Sequence, residues 1–416
     1  MGLTAARTRY FSKNQVATLG DSRLAQAFTA YGYPVAGSTL VRTRQPANFF
    51  HMGTAQMGQR LRIVSPNAVS GLRSDQYMAA TYTAPAFASS AHWLLTGGVV
   101  NDISQLGSGT DYFTAYIKPV CDAWIAQGRG VILMTETGST SMASNTANLG
   151  AVYRYNRKVR QYCAETPNAV VFDVQALALD PTQTLAFKAN YSGDGTHINL
   201  LQGCVALGQA FANLMIPLVP PTSWLVQTAG ETFARGGVQM LNNPLWQTTT
   251  GGATATGVSG TAPAGLTGYV MASGHTLAVS TTAGPVGNDL VLAITAGQAG
   301  TTWVQFDIAN VEAAGAIMDA GCIAALAAGS SNFQGAALHL ESSRGGVTRF
   351  VEDMTSPASA ANGVLSSAAL TLQLQTDPLP EDVTSRGWLT AYIRLTLAGA
   401  GSATVNIRQL GVFQRQ

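Results

Sequence analysis

The period of the apolar pattern changes at one place in this chain, and that change bounds the folds open to it. Before Pro217, Pro220 and Pro221, short apolar runs alternate with longer amphipathic stretches. Beyond them, short runs of period near two follow one another with no convincing long helix. In the first half, Gln15 to Leu19, Arg60 to Ser65, Ala91 to Thr96, Gly130 to Thr135 and Ala169 to Asp173 read as strands. Helices are expected over Asp111 to Gln127, Leu149 to Ala164 and Leu200 to Met215. Strands alternating with helices predict a parallel sheet covered on both faces. In an open sheet of that kind, functional residues gather at the carboxyl ends of the strands.

The second half reads differently. Thr276 to Thr281, Asp289 to Thr295, Thr302 to Ile308, Ala336 to Glu341, Ala368 to Gln375, Trp388 to Leu397 and Ala403 to Val412 alternate apolar with polar residues, punctuated by Gly, Asn, Ser and Pro. Many short strands at such spacing predict an all-β sandwich of jelly-roll type. A short helix is expected around Val311 to Met318, and Thr248 to Gly268 is expected to be an irregular surface loop. The expected domains are therefore 1–219, a Pro-rich linker over 220–228, and 229–416.

Composition narrows the partners. Of 416 residues, 46% are hydrophobic, enough for two cores, while only 11% are charged. Soluble proteins carry about 25%, so a surface this poor in charge points to an assembly, with copies of itself or other proteins covering part of it. The net charge is +2 with no basic stripe, which argues against nucleic acid. No apolar run reaches the roughly 18–20 residues that span a bilayer, so no membrane insertion is expected. Met1 to Gly20 mixes Arg7, Arg9 and Lys13 with polar residues and lacks the apolar core of a secretory signal. The expectation is use without export, or release by lysis or within a particle. Cys121, Cys163, Cys204 and Cys322 lack metal-ligand spacing and read as buried small hydrophobes. The five histidines are dispersed, so no metal and no cofactor is expected. His92 lies within an apolar run and reads as a core residue.

Polar groups stand where the strands of a buried sheet have no need of them. The first strand runs into Gly20-Asp21-Ser22-Arg23, a tight turn that presents Ser22 at a helix start. Asp-Ser is equally the chemistry of an ordinary helix cap. The second strand leads into Asn67-Ala-Val-Ser-Gly71, and the third into Thr96-Gly-Gly-Val-Val-Asn101-Asp102. Before the last helix comes Ser192-Gly-Asp194-Gly-Thr-His197. An Asp three residues ahead of a His can reach its Nδ1–H, fix the tautomer and steady the imidazolium. Each piece alone has a bland reading as a turn or cap.

Taken in order, the four pieces resemble the blocks of the SGNH (GDSL) hydrolase superfamily. Gly20-Asp21-Ser22 matches the first block, Gly71 with Asn67 the second, Asn101-Asp102 the third, and Asp194 with His197 the fifth. The resemblance covers about residues 14–216. It implies a three-layer α/β/α, flavodoxin-like domain, with Ser22, Asp194 and His197 as the catalytic residues. It also implies an oxyanion hole from the N–H groups of Ser22 and Gly71 and the side chain of Asn101. One departure stands out: the third block is usually Gly-x-Asn-Asp, whereas Val99 and Val100 separate Gly98 from Asn101. Asp21 and Asp102 read as structural. No Gly-x-Ser-x-Gly elbow occurs, which disfavours an ordinary α/β-hydrolase.

Asn243-Pro-Leu-Trp246, Gly251 to Thr254, Gly257 to Pro263 and Gly287-Asn-Asp289 resemble segments of bacteriophage and prophage tail proteins. The expected setting is thus a virion. There, an esterase would remove acyl groups, O-acetyl first, from a host surface polysaccharide, as a homo-oligomer (a trimer first) among other virion proteins. Two alternatives stay open: a secreted or cytoplasmic bacterial carbohydrate esterase with a binding module, and an adhesive virion protein with an inactive SGNH fold. Loops such as Gly37 to Gln59 and Gly138 to Asn148 are expected to choose the acyl group and sugar.

Overall fold

A computed structural model of the chain describes residues 13–25, 38–44, 48–222, 225–226, 233–234, 237–241, 243–308, 317–344, 347–354, 363–377, 379 and 386–415. The described residues divide into two compact units. One draws on Met1–Thr29 and Ala47–Pro221, the other on Ala30–Pro46 and Thr222–Gln416. A consecutive cut near residue 219 does not describe this interleaving. After β1 (Gln15–Gly20), strand β2 (Ser38–Arg44) pairs in parallel with a strand of the second unit, centred on Phe350. The chain then returns to the first unit.

There, β3 (Arg62–Pro66), β4 (Trp93–Gly97), β5 (Gly130–Met134) and β6 (Ala169–Phe172) join β1 in a five-stranded sheet. Its order is β3-β1-β4-β5-β6, and every pairing is parallel. This is the flavodoxin-like order, in which the second strand of the sheet lies outside the first. Successive residues of a strand face opposite sides, and the strands use both. Ala17, Leu19, Leu94, Val131 and Leu133 enter one core, while Val16, Trp93, Leu95, Ile132 and Met134 enter the other. The first core is completed by Val100 and Ile103, by Cys121 and Trp124, and by Val152, Tyr155 and Val159 of the helix Thr146–Glu165. The second is closed by the helices Phe49–Gln56 and Leu201–Met215. Phe49, Phe172 and Phe211 meet there with ring centroids 5.1–5.9 Å apart. The result is the expected three-layer α/β/α domain.

Several local expectations are corrected. The helix expected over Asp111 to Gln127 is a π turn, Phe113–Ile117, followed by an α-helix, Lys118–Ile125. Pro119 has no N–H to give the α ladder, so the spacing slips at that point. The stretch taken as a specificity loop contains β2 and the helix Phe49–Gln56, whose residues through Ala55 are all buried. That helix packs close on its neighbour: a Cβ on Gly53 would lie 3.0 Å from the Gly208 carbonyl. His92 precedes β4 rather than lying within it, and is half-buried with its ring 5.1 Å from that of Trp93. All four cysteines are unpaired.

Among its described residues the second unit, which includes β2, is all β. Its strands are β7 (Phe233–Ala234), β8 (Gly237–Gln239), β9 (Val258–Gly260), β10 (Leu266–Val270), β11 (His275–Ala283) and β12 (Asn288–Ala296), followed by β13 (Gly300–Asp307), β14 (Ile317–Leu326), β15 (Ser331–Arg344), β16 (Val347–Met354), β17 (Leu370–Gln375) and β18 (Arg386–Arg415). Thr248 to Gly268 thus holds β9 and the start of β10 rather than an irregular loop. Of the helix expected around Val311 to Met318, residues 311–316 lie outside the described residues, and Ile317 and Met318 begin β14.

The runs expected as two strands, Trp388 to Leu397 and Ala403 to Val412, are one strand whose two stretches have different neighbours within a single 13-stranded sheet. Residues 390–397 of β18 lie between β13 and β15, giving the order β10-β13-β18-β15-β16-β2. Residues 405–407 lie between β12 and β14, giving β9-β11-β12-β18-β14-β17. Leu389, Ala391, Ile393, Leu395 and Leu397, then Ala403, Val405 and Ile407, are buried in alternation. A register shift opposite Gly321 and Ile323, with Gln409 at φ 48, then ends the alternation, and residues 409–413 are all buried.

Candidate active site

The first unit's polar residues collect at the carboxyl end of its sheet. β1 ends at Gly20, where a Cβ would lie 2.8 Å from Leu24 Cδ1. The chain turns directly into the helix Ser22–Ala25, whose first bond is Ala25 N–H to the Asp21 carbonyl at 2.9 Å. Ser22 therefore stands at a helix start, where the first N–H groups have no acceptor within the helix.

Ser22 Oγ lies 2.7 Å from His197 Nε2, across 175 residues of chain. His197 Nδ1 lies 2.7 Å from Asp194 Oδ2. The other carboxylate oxygen of Asp194 accepts the N–H groups of Thr196 at 2.9 Å and His197 at 2.8 Å. Partial burial opposes ionisation of Asp194, but these donors and the imidazole outweigh it and hold the carboxyl down to about 2. An ionised Asp194 accepts a hydrogen bond from Nδ1–H and keeps the proton on that nitrogen, so the Nε2 lone pair faces the serine hydroxyl.

Two further segments close on this point. Asn67 N–H donates to the Thr18 carbonyl at 3.1 Å and Val69 N–H to the Gly20 carbonyl at 3.0 Å, so the loop ending in Gly71 runs beside the end of β1. Gly71 is exposed, with φ 83. Asn101 sits in the first turn of the helix Val100–Leu106, and its Nδ2 donates to the Leu72 carbonyl at 3.0 Å. Asn101 and Gly71 thus share one loop junction; of the two residues between Gly98 and Asn101, Val99 precedes the helix and Val100 is its first residue. Asp102 is buried and accepts both the N–H (3.0 Å) and the hydroxyl of Ser74. Burial pushes its carboxyl up to about 6 in spite of those donors.

Asp21 is also buried. Its Oδ1 accepts the Arg23 N–H at 3.0 Å, and its Oδ2 accepts no hydrogen bond among the described residues. Burial raises its pKa, against the pull of Arg23. Gly98, at φ 101, packs onto this carboxyl; a Cβ there would lie 3.0 Å from Oδ2.

The sequence reading singled out neither Arg23 nor Glu136. Arg23 pairs with Glu136 inside the site, and Glu136 is fully buried. A signal was present: Glu136 ends the run Gly130-Val-Ile-Leu-Met-Thr-Glu136, where a carboxylate closing a wholly buried strand needs a partner. A cavity of about 20 Å³, room for one water molecule, lies beside Arg23, lined also by Gly97, Gly98, Thr135, Thr137 and Ile198.

No family model matches the chain, and no curated protein matches it. Among solved structures, similarity is found to a GDSL-like lipase from Bacteroides thetaiotaomicron, at 13% identity over 52% of this chain and 96% of that one, with a TM-score of 0.35. A family 3 carbohydrate esterase from Clostridium thermocellum is 11% identical over 49% of this chain and 96% of its own, TM-score 0.35. Carbohydrate-binding modules of the β-sandwich superfamily match 35% of this chain at 14% identity and a TM-score of 0.27, and the chain spans 56% of that structure. At such values the likeness by itself settles neither activity nor substrate.

Proposed function

We propose that the chain is a serine esterase, with Ser22 as nucleophile, His197 as general base and Asp194 as the group that orients the base. The observation that carries this reading is the unbroken relay Ser22 Oγ, His197 Nε2, His197 Nδ1, Asp194 Oδ2, with 2.7 Å at both contacts. His197 takes the hydroxyl proton as Oγ bonds to the ester carbonyl carbon. The N–H groups of Ser22 and Gly71 and the Asn101 side chain then receive the oxyanion. The protonated imidazole returns its proton to the leaving alkoxide, and water repeats the sequence to release the acid and free the serine. Asn101 must release the Leu72 carbonyl to donate to the oxyanion.

The test compares wild type with Ser22→Ala on para-nitrophenyl acetate, together with labelling by a serine-reactive phosphonate. Hydrolysis and labelling at Ser22 are expected in wild type only. Equal rates in the two proteins would remove Ser22 from the mechanism, and silence in both would favour an inactive scaffold.

Within that reading, the substrate class is an O-acetylated surface polysaccharide and the setting a bacteriophage tail. Support comes from the low charge and from the tail-like segments of the second unit, whose role would be carbohydrate binding, attachment or oligomerisation. Acetate release from O-acetylated polysaccharide, with light scattering for a trimer, checks both. A clean monomer active on plant glycans would favour the bacterial carbohydrate esterase instead.

A further inference from the structure

Arg23 follows the serine directly, and its guanidinium reaches two other segments. It donates from Nη1 to Glu136 Oε1, and from Nη2 to the Gly138 carbonyl at 2.8 Å. Nε and Nη2 also donate to the Thr196 carbonyl, at 3.3 and 3.2 Å, one residue before His197. Glu136 in turn accepts the N–H of Val99 at 2.7 Å and that of Gly138 at 2.7 Å. Val99 stands two residues before Asn101. The main chain of Glu136 is clamped as well: its N–H donates to Asn156 Oδ1 at 2.6 Å, and its carbonyl accepts Asn156 Nδ2 at 2.7 Å. Asn156 is fully buried on the helix Thr146–Glu165.

A buried ion pair is a poor way to stabilise a fold, because desolvating both charges offsets their attraction. A planar guanidinium, however, holds several acceptors in one fixed arrangement, which a flexible ammonium does not. Here the acceptors belong to the segment that carries the base and to the segment between β5 and the following helix. The carboxylate adds the turn that leads to Asn101.

We propose that Arg23 and Glu136 are positioning residues of the esterase site. Through the Thr196 carbonyl and the Val99 N–H, they set His197 and the Asn101 turn relative to Ser22. This inference rests on the esterase reading above.

The experiment measures para-nitrophenyl acetate kinetics and phosphonate-titrated active sites for wild type, Arg23→Lys, Glu136→Gln and the double variant Arg23→Met/Glu136→Met. All are assayed where circular dichroism shows them folded. For each variant, kcat per titrated site should fall at least 30-fold while KM stays within threefold. The double variant, with no buried charge, should be the most stable of the three and still not regain kcat. The inference is overturned by a folded variant whose kcat per site is within threefold of wild type, or by a loss fully explained by fewer titratable sites. Should both single variants fail to fold, the double variant decides between the same two outcomes. A wild type that neither hydrolyses ester nor takes the phosphonate overturns the esterase reading, and this inference with it.

Discussion

Asp194 holds His197 twice, accepting the ring Nδ1–H on one carboxylate oxygen at 2.7 Å and the residue's own backbone N–H on the other at 2.8 Å. The ring's orientation and its tautomer are thus set by one side chain. Asp194→Asn keeps an oxygen for the backbone N–H but turns an NH₂ towards Nδ1. The proton then moves to Nε2 and faces the serine. The expected loss in kcat is about 10³- to 10⁴-fold, with the fold intact by circular dichroism and KM little changed.

Asn101→Ala removes one proposed oxyanion donor. Losses for such donors run to about 10²–10³ in kcat, or about 2.7–4 kcal/mol of transition-state stabilisation. Steady-state kinetics should show the effect in kcat rather than KM. A loss under fivefold would place the oxyanion elsewhere.

The glycines at the site make a paired prediction on stability. A Cβ on Gly97 would lie 2.8 Å from the Met134 carbonyl oxygen at φ 142, whereas one on Gly71 meets nothing within 4 Å at φ 83. Gly97→Ala must shift backbone in the neighbouring strand and should cost about 2–4 kcal/mol. Gly71→Ala bears only the left-handed backbone cost, about 1–2 kcal/mol. Urea unfolding of the two variants should rank them in that order.

Asp102 gives the pH dependence. Its carboxyl is pushed up to about 6 in the folded protein, mainly by burial, against an ordinary value of 3.8. The folded state therefore binds the proton more tightly than the unfolded chain. Its contribution favours folding below pH ~4 and is lost as pH rises through about 6. In Asp102→Asn that loss disappears, while one amide oxygen still accepts from Ser74. Relative to wild type, the variant's melting temperature should improve between pH 4 and pH 7. A difference that stays constant with pH would mean Asp102 titrates as in the unfolded chain.

Much of the fold was legible in the sequence, because burial on both faces of a parallel sheet writes apolar runs such as Gly130 to Met134 and burial on one face writes alternation such as His275 to Ala283. Those signals are local, and so are Asp194 with His197 and the turn at Ser22. The helix Phe49–Gln56 was not legible, because it is buried on nearly every side and shows no amphipathic period. Nor was β2, whose partner around Phe350 lies some 300 residues further along the chain.

Local chemistry thus determined which residue types stand at the strand ends and which half of the chain folds in which class. Only the tertiary structure decided who meets whom. The pairing of Arg23 with Glu136, across 113 residues, exists because β1, β4 and β5 run parallel and end at one level, so that their loops share a small, buried space. Along the chain, neither residue carries any mark of the other, since an ion pair is specified by distance and dielectric rather than by neighbours in sequence.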